Sequence, residues 1–334
     1  GVFAHQMLDK YERNINYLRV SITDRCNLRC TYCRPKEGIS LKGHEDILRY
    51  EQILRVVGQA LKMGFIKVRI TGGEPLVRRG FVEFVQRLKK IEGLEDISLT
   101  TNGILLERFA KDIFAAGVRR INISLDSLDA DRFREITGGG NLDDVLRGID
   151  AADKAGFAPI KINTVVIRGF NDDEALEFAR LAMKKPYQIR FIELMPIGLA
   201  RGQEPVPNQE VLDILTAAFG PPQPYTGRLG NGPACYYSFP GFAGRIGLIG
   251  AVSHGFCADC NRIRLTADGW LKLCLHYDVG CDLLTPLRAG ADDRELAALI
   301  RETLLKKPAR HCFGCHRGEE QEHRESRNMN AIGG

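Results

Sequence analysis

The sequence predicts an α/β fold: a partial, six-stranded TIM-type (βα)6 barrel followed by a smaller C-terminal α+β domain. Three observations predict it. From residue 18 to 195 a short β-branched run, a polar turn and an amphipathic helix recur. The repeat stops before the eight units that a closed barrel needs. Past Pro196 the texture changes to Pro- and Gly-rich connectors and isolated short strands.

The strands are expected at 18–23, 67–71, 96–101, 120–125, 160–167 and 188–195, where Val, Ile and Thr concentrate. Between them, apolar residues at three- and four-residue spacing predict helices over 53–63, 81–91, 107–116, 142–155 and 174–183. Gly64, Gly117 and Gly156 read as helix C-caps, where positive φ is cheap for glycine. Strands alternating with helices pair in parallel through right-handed crossovers. Periodicity alone leaves a doubly wound sheet open. Further on, 196–208 and 220–233 read as connectors. Strands are expected at 239–248 and 261–273, the second around an Asp268-Gly269 hairpin turn, and a helix over 291–305. The implied organisation is an N-terminal extension (1–15), the partial barrel (16–208), a C-terminal domain (209–320) and a polar, flexible tail (321–334).

Composition narrows the class. Apolar residues make up 44% and charged residues 27%, ordinary for a globular protein. The formal charge of +5 is too small to argue for nucleic acid, though locally clustered cations could hold a small anion. No apolar run approaches the roughly 18 residues of a membrane helix, and no secretory leader stands out, so a cytoplasmic, membrane-free protein is expected. There the ten cysteines are poor candidates for disulfides. Eight fall into groups: Cys26, Cys30 and Cys33; Cys257, Cys260 and Cys274; Cys312 and Cys315. Grouped reduced thiols point to metal.

Cys26, Cys30 and Cys33 lie in the loop after the first strand. Structural zinc wants four protein ligands, and this CxxxCxxC triplet has no nearby fourth. A cubane 4Fe–4S cluster held by three cysteines instead leaves one iron open to a ligand's amine and carboxylate. With Tyr32 before the last cysteine, the motif resembles the signature of the radical S-adenosylmethionine (SAM) superfamily. Thr71-Gly72-Gly73-Glu74-Pro75, Thr100-Thr101-Asn102-Gly103, Ser124-Leu125-Asp126 and Met195 all fall at the C-terminal ends of strands, the rim where parallel βα folds place their chemistry. Gly72-Gly73-Glu74-Pro75 resembles the GGEP segment of that superfamily, which implies close approach of SAM to the bare glycine backbone; taken alone it reads as a turn.

The second group, Cys257, Cys260 and Cys274, has a wide gap. Cys281, His254 or His276 could complete a zinc tetrahedron, so spacing leaves zinc and a second cluster level. Arg262 and Arg264 alternate along a strand and project to one face, which suits an anionic ligand. No GxxxxGK[ST] loop is present to bind a triphosphate by the usual route.

Together these segments resemble the GTP 3′,8-cyclase family of molybdenum-cofactor synthesis. The resemblance runs over residues 15–275 and the final glycines. It is carried by LRVSITDRCNLRCTYC, KVRITGGEPLVRR, LTTNG, RRINISLDSLD, KINTVVIRGFND and FCADCNRIRLTADG. It implies two 4Fe–4S clusters, one on Cys26, Cys30 and Cys33 and the other on Cys257, Cys260 and Cys274. It implies SAM contacts from Tyr32, Gly73, Ser124 and Met195. GTP contacts are implied for Arg19, Arg69, Thr100, Lys161, Arg190, Arg262, Ile263 and Arg264. The resemblance also implies that a 5′-deoxyadenosyl radical takes hydrogen from C3′ of GTP and that C3′ then bonds to C8. Gly333 and Gly334 would reach into the active site. The implied partners are a flavodoxin- or ferredoxin-type reductant and a cyclic pyranopterin monophosphate synthase that receives the product; a homodimer is left open.

Two features depart from the family pattern. Arg34 follows the third cysteine, where methionine is common. His311-Cys312-Phe313-Gly314-Cys315-His316 contains CxxCH, open to an auxiliary metal site, a redox-labile thiol pair or haem attachment. Two rival functions also remain. A peptide-acting radical SAM enzyme with an auxiliary cluster leaves Arg262, Arg264 and the Gly-Gly end unexplained. A zinc-stabilised nucleic-acid-binding module predicts a basic stripe with exposed aromatics, which a charge of +5 and a βα core do not supply.

Overall fold

A computed structural model describes residues 6–33, 42–227, 229, 232–252, 257–310 and 324–333. Six βα units open the chain. Their strands are β1 (Tyr17–Ser21), β2 (Lys67–Thr71), β3 (Asp96–Thr101), β4 (Arg120–Ser124), β5 (Ile160–Val166) and β6 (Gln188–Glu193). Helices α1 (Tyr50–Lys62), α2 (Phe81–Lys89), α3 (Leu106–Ala116), α4 (Ala130–Thr137), α5 (Leu142–Ala155) and α6 (Ala175–Lys184) cross between them. The strands pair in parallel in chain order, and the α/β expectation holds. Gly64, Gly117 and Gly156 end three helices with φ of 103°, 124° and 95°.

Alternation along the strands separates two faces. Leu18, Val20, Ile97, Leu99, Ile121, Ile123, Ile160 and Ile162 are buried in one continuous core with the apolar stripes of the helices, such as Ile53, Val56, Val57 and Ala60 of α1. The intervening residues of the strands carry polar groups. This division leaves one apolar-backed sheet with a polar inner surface.

The rest of the chain extends the same sheet at both edges. After α7 (Asn208–Phe219) come β7 (Gln223–Tyr225), β8 (Cys235–Ser238) and β9 (Arg245–Ile249), and β9 pairs in parallel with β6. Next, β10 (Arg262–Leu265) pairs in parallel with β1, and β11 (Trp270–Lys272) and β12 (Gly280–Asp282) continue outward antiparallel. The twelve strands lie in the order β12-β11-β10-β1-β2-β3-β4-β5-β6-β9-β8-β7. Helices α8 (Leu284–Arg288), α9 (Asp293–Leu304) and α10 (Met329–Ile332) complete the described chain.

Two expectations need correction. The strand expected at 239–248 forms only from Arg245, because Phe239 and Phe242 close a turn through Phe242 N–H to Phe239 O at 3.2 Å. The tail expected to be flexible is fastened over residues 324–333. Arg324 bridges to Tyr277, the Glu325 amide donates to His276 O at 2.9 Å, and Glu325 pairs with Lys272 where both side chains are buried.

Candidate functional site

The cysteine loop and the strand rim are built together. Gly73 N–H donates to Thr23 O at 2.7 Å and Glu74 N–H to Arg25 O at 2.8 Å, so the turn after β2 prolongs pairing up to the residue before Cys26. A Cβ on Gly73 would stand 2.3 Å from Arg25 O, and one on Gly72 2.8 Å from Thr23 O. The chain's own loop therefore requires these glycines, whatever approaches them later. Glu74 is buried and accepts from Asn102 N (2.7 Å), Leu76 N (3.0 Å) and Thr101 Oγ1 (2.8 Å), tying the ends of β2 and β3. Across the loop, Arg29 N donates to Thr137 O at 2.8 Å and Thr31 N to Ile136 O at 2.9 Å. The loop is held from both sides.

Cys26, Cys30 and Cys33 open onto a cavity of about 340 Å³ at the C-terminal ends of the strands. Cys257, Cys260 and Cys274 line the same cavity. So do Tyr32, Gly73, Ser124, Met195, Arg19, Arg69, Thr100, Arg190, Arg262, Ile263 and Arg264. Lys161 does not. It lines an adjoining chamber of about 390 Å³ with Tyr225, Tyr236 and Tyr237, and its ammonium donates to Leu229 O. Gly232 borders both chambers. Gly333 meets the rim from the tail: its carbonyl accepts from Arg264 Nη1 at 2.6 Å. Gly334, Arg34, His254 and residues 311–316 lie outside the described residues.

Sheet register explains the arginine cluster. Arg264, Arg19 and Arg69 are direct neighbours across β10, β1 and β2, so all three face the same side. Five arginines line the cavity, and Asp126 is its single carboxylate among the lining residues. Burial and then Arg264 and Arg69 hold Arg19 well below its ordinary range, while burial and Arg262 bring Arg264 down to about 10. Burial, with Arg190 and Arg69, takes Lys161 down to about 6. Cations that depress one another in a desolvated pocket favour a polyanion. Arg190 Nε is aimed by Asn163 Oδ1 at 2.7 Å.

The thiols differ between the two groups. Burial, then Cys33, Asp126 and Cys26, push the Cys30 thiol well above its ordinary range. Three thiolates that would repel one another are stabilised by a shared cationic centre, so this donor set fits an iron–sulfur cluster. At Cys260 burial opposes ionisation, yet Lys307 and Arg262 outweigh it and lower the thiol. Among the described residues no three His, Cys, Asp or Glu side chains converge on a point as ligands of one ion would. A cubane takes one thiolate per iron and needs no such convergence. Cys281, a zinc alternative, stands on β12 opposite Leu271. His276 lines the cavity beside Cys274.

Comparison with known proteins decides the family. The radical SAM superfamily model matches residues 20–182 and the Molybdenum Cofactor Synthesis C model residues 187–313. The GTP 3′,8-cyclase of Pelotomaculum thermopropionicum is 51% identical over 332 residues, covering 98% of this chain and 100% of the relative. That of Moorella thermoacetica is 50% identical over 330 residues, with 98% and 100% covered. The chain belongs to the GTP 3′,8-cyclase family. Streptococcus suis SuiB bound to S-adenosylmethionine shares the fold, with a TM-score of 0.59 at 15% identity over 96% of this chain and 79% of that one. At that identity the likeness speaks only to fold.

Several lining residues were not singled out in the sequence. Asn163 follows Lys161 by two positions on β5, so strand alternation could have found it. Met329 and Asn330 reach the cavity from α10, and no local signal in a polar tail announces that. Tyr32 and Asp126 share a bond, Tyr32 Oη donating to Asp126 Oδ2 at 2.5 Å. Burial and Asp126 raise the Tyr32 hydroxyl well above its usual range, and burial lifts Asp126 to about 6.

Proposed function

We propose that this chain cyclises GTP to (8S)-3′,8-cyclo-7,8-dihydroguanosine 5′-triphosphate, a committed step of molybdenum-cofactor synthesis, using SAM and two 4Fe–4S clusters. The observation that carries the proposal is one cavity onto which both cysteine triplets and five arginines open. The relatives at 50% and 51% identity bear that activity in their names. Cys26, Cys30 and Cys33 would hold the cluster that cleaves SAM, and Cys257, Cys260 and Cys274 the second. A cluster held by Cys26, Cys30 and Cys33 would supply one electron to cleave SAM to methionine and a 5′-deoxyadenosyl radical able to take the C3′ hydrogen of GTP. C3′ would then bond to C8, and one further electron from the donor and a proton would complete the dihydro product.

The chain's own residues do the positioning. Tyr32, Gly73, Ser124 and Met195 line the cavity that the first triplet also lines and would hold SAM there. Arg19, Arg69, Arg190, Arg262 and Arg264, with Ile263 and Thr100, would grip GTP, several forks taking the place of an absent P-loop. Lys161 would join them from the adjoining chamber. Fixing ribose and base beside the radical source converts an encounter into a bound geometry. Gly333, bonded to Arg264, would help to close the cavity from the tail side. We further propose a cytoplasmic setting, a flavodoxin- or ferredoxin-type electron donor, and hand-on of product to a cyclic pyranopterin monophosphate synthase. Among the described residues no helix is long and apolar enough to cross a membrane.

Anaerobic reconstitution followed by GTP, SAM and a reductant tests the activity. The expected products are 5′-deoxyadenosine and a cyclised nucleotide in equal amounts. Deoxyadenosine formed at a rate indifferent to GTP, with GTP recovered intact, refutes it.

A further inference from the structure

Two buried cations outside the cavity converge on the second cysteine group. Lys307, three residues past α9, is 2% exposed. Its Nζ donates to Arg262 O at 2.9 Å and to Leu273 O at 2.6 Å. Arg262 lies two positions after Cys260, and Leu273 immediately precedes Cys274. The next two residues continue the pattern. Pro308 O and Ala309 O accept from Arg13 at 2.7 and 3.0 Å, and Arg13 Nη1 also donates to Cys257 O at 2.9 Å. Residues 307–309 and Arg13 thus grip the chain at or beside each of the three cysteines.

The two cations are not equivalent. Asp9, 2.6 Å away, neutralises Arg13. Among the described residues the hydrogen-bond partners of Lys307 are carbonyls, not a carboxylate. Burying an ammonium is costly unless an anion compensates it closely. Three thiolates gathered on a cluster supply that anion.

We propose that Lys307 is a positioning residue for the second iron–sulfur cluster, and that its buried charge raises the cluster's reduction potential while Arg13 fixes the Cys257 end. This rests on the two-cluster reading above. Reduction adds a negative charge to the cluster, so a nearby buried cation stabilises the reduced state more than the oxidised one.

The test uses the full chain carrying Cys26→Ala, Cys30→Ala and Cys33→Ala, so that only the second cluster reports, in a redox titration followed by electron paramagnetic resonance. Lys307→Gln is expected to move the midpoint to more negative potential at unchanged iron content, and Lys307→Arg to keep it near the parent value. Equal midpoints in the parent and Lys307→Gln overturn the proposal. If Lys307→Gln loads no iron, circular dichroism of the iron-free proteins decides. A parent-like fold with loading restored by Lys307→Arg supports the proposal. An unfolded chain in both variants makes Lys307 structural alone and overturns it. A parent that holds zinc, or no iron, refutes the two-cluster reading first and takes this proposal with it.

Discussion

Gly73→Ala isolates the coupling between the strand rim and the first cysteine loop. The φ of Gly73 lies outside the left-handed region, so alanine meets no backbone strain and the effect is purely steric. The new Cβ would sit 2.3 Å from Arg25 O, 2.7 Å from Arg25 C and 2.9 Å from Asp24 O, all backbone atoms. Ordinary contact begins at 3.4 Å, so the loop must retreat by 3.4 − 2.3 = 1.1 Å just before Cys26. The shift strains the bonds from Gly73 N to Thr23 O (2.7 Å) and from Glu74 N to Arg25 O (2.8 Å). Overpacking of this kind costs about 1–3 kcal/mol, and a displacement of ~1 Å at a reacting centre costs on the order of 100-fold in rate. Iron content after reconstitution, the melting curve of the iron-free protein and the rate of 5′-deoxyadenosine formation measure the three consequences. Wild-type iron loading together with a wild-type rate would refute the coupling.

Further outcomes follow from the same geometry. Gly58→Ala, inside α1 with nothing within 4 Å of the added Cβ, should stabilise the chain by about 0.5–1 kcal/mol and leave turnover unchanged; a lower melting temperature contradicts the packing described. Arg264→Ala removes a guanidinium from the Arg19–Arg69 row and the 2.6 Å bond to Gly333 O. It should weaken GTP binding by about 1.5–3 kcal/mol in anaerobic calorimetry; an unchanged affinity argues against the row as the triphosphate site. Glu325 gives a pH signature. Burial resists its ionisation, but bonds from Arg327 and Lys272 prevail and bring it from 4.5 to about 2. The unfolded chain therefore binds the proton first as pH falls, and the stabilisation, complete above pH 4.5, is lost progressively towards pH 2. Melting of the iron-free protein should show this acid loss, and Glu325→Gln should show less of it; identical acid profiles would remove Glu325 from the account.

The parallel core was legible because each strand carries its own signal. Ile160–Val166 and Lys67–Thr71 are dense in β-branched residues and bounded by turns, and the expected ends fall within two residues of those seen. The hairpin at Asp268-Gly269 and the shared face of Arg262 and Arg264 also follow from local chemistry. Partnership at the sheet edges does not. That β10 lies beside β1, setting Arg264 against Arg19, is a pairing between segments about 240 residues apart that no local pattern encodes. The helices Ala130–Thr137 and Asn208–Phe219 went unmarked, the first because it is short and polar. The tail looked unstructured because Glu325 and Arg327 are polar, yet Lys272 and Asp278 give them partners that only the folded sheet brings near. Lys161 faces inward as its strand position demands, but its bond to Leu229 O, beside Gly227 and Gly232, draws it into the adjoining chamber.

Iron and sulfide analysis of three anaerobically reconstituted proteins tests the central claim most directly. The unaltered chain should hold about eight irons, and the chains lacking either the Cys26, Cys30 and Cys33 thiols or the Cys257, Cys260 and Cys274 thiols about four each. Zinc bound at either triplet, or the loss of all iron on removing one of them, would contradict two independent clusters facing one cavity.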